Sequence, residues 1–222
     1  ITKAALAALG GIERFVKSGA DVIIKPNICT DYHPPEYATT TNPVVVATLV
    51  MLALGAGARR VRVMDYPFGG SPESAYASSG IADAVQAAGG EMHVMSRPKY
   101  RTYQIPGSKS MQSAEVYPDV MEADVLINVP IAKHHSSGRL TLGAKNLMGV
   151  VLDRNAMHLK LHQRIADLTS LVRPTLTVVD AVRILVDHGP TGGDLNDVKQ
   201  LDTVIASQDL VCADAYATSL FG

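Results

Sequence analysis

Apolar residues along the chain fall into two alternating rhythms. Residues 3–18 carry Ala, Leu, Ile, Phe and Val at helical spacing, and DVIIKPN (21–27) follows as a β-branched run that Pro26 stops. Asn42 and Pro43 make an N-cap and first-turn pair for a helix over Val44–Leu54, which Gly55 and Gly57 end. RVRVMD is a strand, Ser71 and Pro72 open another helix, and a helix near Ile81–Ala88 precedes a strand near Glu91–Met95. Residues 96–113 are polar and broken by Pro98, Pro106 and Gly107, an irregular excursion with room for a short hairpin that ends near 118.

The second half repeats the alternation. ADVLINVP is a strand, His158–Val172 a helix, PTLTVVDAV and LDTVIAS strands, and Asp209–Leu220 a last helix. This pattern predicts an α/β fold with a mainly parallel sheet and helices on both faces, as one domain over residues 1–222, excised from a longer chain. In such sheets ligands sit beyond the carboxyl ends of the strands. The residues there are Lys25, Pro26 and Asn27, then Asp65, Asn128, Lys133 and Asp180.

Composition narrows the partners. With 47% hydrophobic and 18% charged residues and a formal net charge of -1, the chain shows no basic excess, so nucleic acid is not an expected partner. The longest apolar run, residues 43–58, is shorter than a membrane span and starts with a helix cap. Two cysteines, Cys29 and Cys212, stand far apart, so no iron–sulfur or zinc site is expected from cysteines of this chain alone.

The segment KHHSSGRLTLGAKNLMG, Lys133–Gly149, concentrates charge where a turn is expected. Its serines and glycines predict a structured loop. Adjacent side chains diverge, so His134 and His135 make a poor joint metal site, and no metal is assigned. An anion pocket is more economical: Lys25, Lys133 and Lys145 neutralise a small anion, Asn27 and Asn146 orient it, and His134 is the acid or base with Lys133 beside it. Thr41, with Thr40 and Asn42, adds hydroxyls and a helix start. Asp180 ends a hydrophobic strand, and Asp214 lies in an apolar helix where a carboxylate needs a partner, a lysine being the obvious one. GPTGGD (189–194) precedes a strand and matches no phosphate-binding fingerprint.

The order of these blocks resembles the family called domain of unknown function 362. The resemblance rests on KPN (25–27), TTNP (40–43), NVPIAKHH (128–135), TLGAKNLMGV (141–150), VVD (178–180), GPTGG (189–193) and SQDLVCADAYATSLFG at the end. It implies recurring polar positions at Lys25, Asn27, Lys133, His134, Lys145, Asn146, Asp180 and Asp214. It also implies association with ferredoxin-like iron–sulfur modules, hence redox chemistry, with any cluster held outside these residues and the compartment either cytoplasmic or exported. Two functions compete: a domain that binds a small carboxylate or phosphate at the strand ends, and a non-catalytic scaffold whose polar cluster is structural. They separate on whether Asp180 and Asp214 saturate the lysines.

Overall fold

Val22, Ile23 and Ile24 are wholly buried, yet Val22 and Ile24 pack into one apolar cluster and Ile23 into another. Successive side chains of a strand point to opposite faces, so this strand is covered on both sides. The structure, a computed structural model, describes residues 1–222. Its strands are β1 (Asp21–Pro26), β2 (Arg60–Val63), β3 (Glu91–Met92), β4 (Arg101–Gln104), β5 (Ser113–Val116), β6 (Val125–Val129), β7 (Ile131–His135), β8 (Arg139–Thr141), β9 (Leu176–Leu185) and β10 (Val198–Ser207). Eight form one sheet in the order β3-β2-β1-β6-β9-β7-β8, with β10 also on β9; β4 and β5 form the separate hairpin of the excursion. Pairings among β1, β2, β3, β6, β7 and β9 are parallel, while β8 and β10 run antiparallel to their neighbours.

The helices are α1 (Thr2–Ala7), α2 (Pro43–Gly55), α3 (Pro72–Ser78), α4 (Ile81–Ala87), α5 (Asp119–Glu122), α6 (Gly143–Asn146), α7 (Arg154–His158), α8 (Leu161–Leu171) and α9 (Leu210–Thr218). Asn42 caps α2 by accepting from Val44 N at 2.9 Å, with Pro43 in the first turn. Val45, Val46, Leu49, Val50 and Ala53 of this helix pack on the β1 face that carries Val22 and Ile24. The opposite face carries Ile23 with Met64, Leu126, Leu147, Met148 and Leu168. None of these helices is long and apolar enough to cross a membrane.

Four expectations from the sequence need correction. The first helix stops at Ala7, because Gly10 and Gly11 take φ of +92° and +85° and turn the chain into a short 3-10 segment. The helix expected over 158–172 starts later, as α8, with His158 instead closing the separate α7, and the strand expected over 91–95 ends at Met92. The segment from Lys133 is no loop: Lys133, His134 and His135 belong to β7, which turns through 136–138 into β8 and then into α6. Pro130 hid this continuity. It offers no N–H to a ladder and so reads as a stop, yet its carbonyl accepts from Asp180 N at 2.8 Å, keeping β6 and β7 aligned along β9.

Candidate functional site

At the carboxyl end of β1 the Lys25 side chain is wholly buried and its ammonium is saturated. It donates to Asp65 Oδ1 at 2.7 Å, Pro26 O at 2.8 Å and Asn146 Oδ1 at 3.2 Å. Burial pulls Lys25 below the ordinary lysine range, and the Asp65 carboxylate opposes that pull. Asp65 also accepts from Ile28 N at 2.6 Å and Tyr66 N at 2.9 Å, so one carboxylate ties the β1 exit to the β2 exit.

Asn146, at the end of α6, joins this pair to the next strands. Its oxygen also accepts from Asn27 Nδ2 at 3.0 Å, and its nitrogen donates to Asn128 Oδ1 at 2.8 Å. Asn27 Oδ1 in turn accepts from Cys29 Sγ at 3.1 Å, and Cys29 Sγ accepts from Lys133 Nζ at 3.3 Å. A continuous buried polar network therefore runs from Asp65 to Lys133 across four chain segments, and networks so satisfied fix a single arrangement.

Above the network lies a cavity of about 990 Å³, lined by Lys25, Asn27, Cys29, Asp65, His135, Lys145 and Asn146, and also by Tyr66, Arg97 and Arg154. Arg154 is fixed there by Tyr66 O and Pro67 O and stacks 4.7 Å over the Tyr66 ring. Glu115 and Asp153 also line it, the latter engaged as the cap of α7. The Lys145 ammonium makes no hydrogen bond or ion pair. Burial pushes it down to about 8, with Lys133 and Arg154 adding repulsion against the opposing pull of Cys29. Thr141, which lies opposite Lys133 on β8 and also lines the cavity, keeps a buried hydroxyl with no partner.

His135, not His134, faces this cavity. Alternation along β7 places Lys133 and His135 on one side and His134 on the other. His135 Nδ1 accepts from Ser137 N at 3.1 Å and Gly138 N at 3.2 Å, which puts the ring hydrogen on Nε2. Burial, with Lys145 and Lys133 behind it, pushes this ring down to about 3, so it is a fixed neutral donor. His134 is outside the cavity and accepts from Gly189 N at 3.1 Å.

The other residues singled out in the sequence hold backbone in place. Thr41 Oγ1 accepts from Asn27 N at 2.8 Å and donates to Val129 O at 2.7 Å. Asp180 accepts from Asn42 N at 2.7 Å and Val182 N at 3.0 Å, and burial raises it to about 6. Asp214 accepts from Gly143 N at 2.6 Å and Ala144 N at 2.8 Å, anchoring the start of α6 and so the placement of Lys145 and Asn146; burial raises it too. Neither carboxylate meets a lysine, contrary to the expectation for Asp214. Lys133 lies beneath the cavity wall, held by Thr39 O at 2.6 Å and Pro190 O at 3.0 Å as well as by Cys29. Cys29, His135, Arg97 and Arg154 were not anticipated. The two-residue period of IAKHH could have revealed His135.

The family model for the domain of unknown function DUF362 matches residues 22–219. A thylakoid-associated protein of Synechocystis sp. is 28% identical over 224 residues, covering 97% of this chain and 67% of that protein. Among solved structures, the lactate racemase apoprotein from Thermoanaerobacterium thermosaccharolyticum superposes with a TM-score of 0.60 at 13% identity. That match covers 99% of this chain and 54% of the racemase, so the chain spans about half the length of that protein, and the likeness is one of fold.

Proposed function

The chain belongs to the DUF362 family, and on that premise we propose that it binds a small anionic molecule, a carboxylate or phosphate, in the cavity at the carboxyl ends of its strands. The carrying observation is uncompensated positive charge. Lys25 has Asp65, but Lys133 has only neutral acceptors and Lys145 has no partner. Buried cations are normally paired, because an isolated one costs several kcal/mol even after relaxation. A bound anion would supply the missing charge, with Lys145 and the Nε2–H of His135 as its donors and Asn27 and Asn146 setting its orientation. The scaffold alternative required Asp180 and Asp214 to neutralise the lysines, and both are committed to backbone amides instead.

Reductive chemistry with an iron–sulfur partner rests on the family resemblance alone. Such a partner would bring its own cluster ligands. The test is calorimetric titration with pyrophosphate and with oxalate. Binding is expected in the wild type, retained in a variant of the exposed Lys3 (Lys3→Gln) and weakened roughly tenfold or more, about 1.4 kcal/mol, in Lys145→Gln. If neither probe binds, or if Lys145→Gln binds as well as wild type, the pocket assignment fails.

A further inference from the structure

We infer that Lys145 is an imine-forming amine and that the cavity takes a carbonyl compound that also carries an anionic group; this rests on the anion-binding reading above. Hydrogen bonding selects this lysine among the three. The ammonium of Lys25 has three acceptors, as has that of Lys133, so neither nitrogen has a lone pair to offer without breaking its buried network. Lys145 lines the cavity with its nitrogen unengaged, and its stem runs along the β7–β8 turn, where a Cβ on Gly138 would come within 3.0 Å of Cε. That close approach directs the chain of the lysine without tying its end.

The surroundings suit an amine nucleophile. Burial and the neighbouring cations Lys133 and Arg154 disfavour its charged form, the usual way proteins activate a lysine toward carbonyls. The step balances without an external oxidant or reductant. The neutral nitrogen adds to the carbonyl carbon to give a carbinolamine; the nitrogen then gives up its second hydrogen and the carbonyl oxygen departs as water, leaving the carbon–nitrogen double bond. His135, turned into the same cavity with Nδ1 occupied by backbone amides, offers Nε2–H to the oxygen as charge develops there. The anionic group of the ligand is drawn by the same positive excess that supports anion binding, to which Arg97 and Arg154 in the cavity lining add.

The experiment uses two aldehyde probes that bear an anion, glyoxylate and pyridoxal 5′-phosphate, with borohydride reduction and peptide mass spectrometry. Lys145 is expected to be modified at reagent concentrations that leave the exposed Lys3 and Lys199 largely untouched, and pyrophosphate is expected to protect it. Lys145→Arg should lose the borohydride-reducible adduct, since the primary amine is gone. If pyrophosphate binds the wild type but Lys145 is labelled no faster than Lys3 with either probe, the imine inference is overturned and anion binding stands. If pyrophosphate does not bind and Lys145 is not labelled, both readings fall together.

Discussion

Lys133 Nζ stands 3.3 Å from Cys29 Sγ, with no carboxylate within ion-pair reach of the buried ammonium. The charge is screened little by solvent, so its field extends to the sulfur and into the cavity. Alkylation should report this. Cys29 is expected to favour anionic iodoacetate over neutral iodoacetamide, relative to Cys212, by roughly tenfold. Cys212 is exposed and has the Asp209 carboxylate at its amide. Peptide mass spectrometry of both sites in one sample measures the ratio, and Lys133→Met should lower it. Equal ratios at the two cysteines would contradict a positive cavity.

Gly149 closes the KNLMG stretch for a steric reason. A Cβ there would overlap Asp65 Oδ1 and come within 2.6 Å of Lys25 Nζ. Both atoms belong to a buried ion pair held by further hydrogen bonds, so neither can yield cheaply. Gly149→Ala should destabilise the fold by about 3–5 kcal/mol in urea titration, the range for a broken buried pair. Gly107→Ala is the control: its φ is +78° with open space around it, so the cost is strain of about 1 kcal/mol. Equal losses in the two variants would mean the ion pair tolerates the methyl group.

The alternation of elements and the parallel sheet are legible because strand and helix periodicities differ; the strand-end rule then points to Lys25, Asn27 and Asp65, which line the cavity, and the charge-rich segment 133–149 points to Lys145 and Asn146. Roles were less legible than places. Asp180, Asp214 and Thr41 look like ligand groups in the sequence, but each satisfies backbone amides that only the folded chain brings to it, across 138, 71 and 14 residues of separation. The sequence favours His134 over His135 because the residues after Pro130 look like a loop, and without the alternation of the strand they form nothing distinguishes adjacent histidines. Arg154 left no signal, since its partners are the carbonyls of Tyr66 and Pro67, 88 and 87 residues away.

His135 predicts a defined acid limb in stability. Its ring titrates near about 6.5 in the unfolded chain and is pushed down to about 3 in the fold. Between those values the unfolded chain binds more protons, so the stability contributed by the neutral ring is complete above the upper value and is lost as pH falls toward the lower one. Asp180, raised to about 6, acts oppositely: its contribution is present below about 3.9 and lost as pH rises through 6. His135→Gln should therefore show a shallower loss of stability than wild type between about pH 6 and 4 in urea titrations, and Asp180→Asn a steeper one. Parallel profiles for wild type and His135→Gln would remove His135 from the acid limb.

Lys145 predicts opposed effects on stability and binding. A lysine whose value falls from 10.5 to about 8 on folding binds fewer protons in the fold than in the unfolded chain between those limits. Stability therefore rises with pH across that window, and below it the full cost of holding the charge in the cavity is present. A shift of this size corresponds to about 3 kcal/mol, and partial exposure of the amine reduces it to about 1–2 kcal/mol. Lys145→Met keeps the length of the stem and removes the charge, so it should raise stability by about that amount at neutral pH and abolish the alkaline increase. Pyrophosphate binding should be lost in the same variant. A site retained for packing alone would behave otherwise: Lys145→Met would leave stability unchanged or lower at neutral pH and would not alter the binding isotherm.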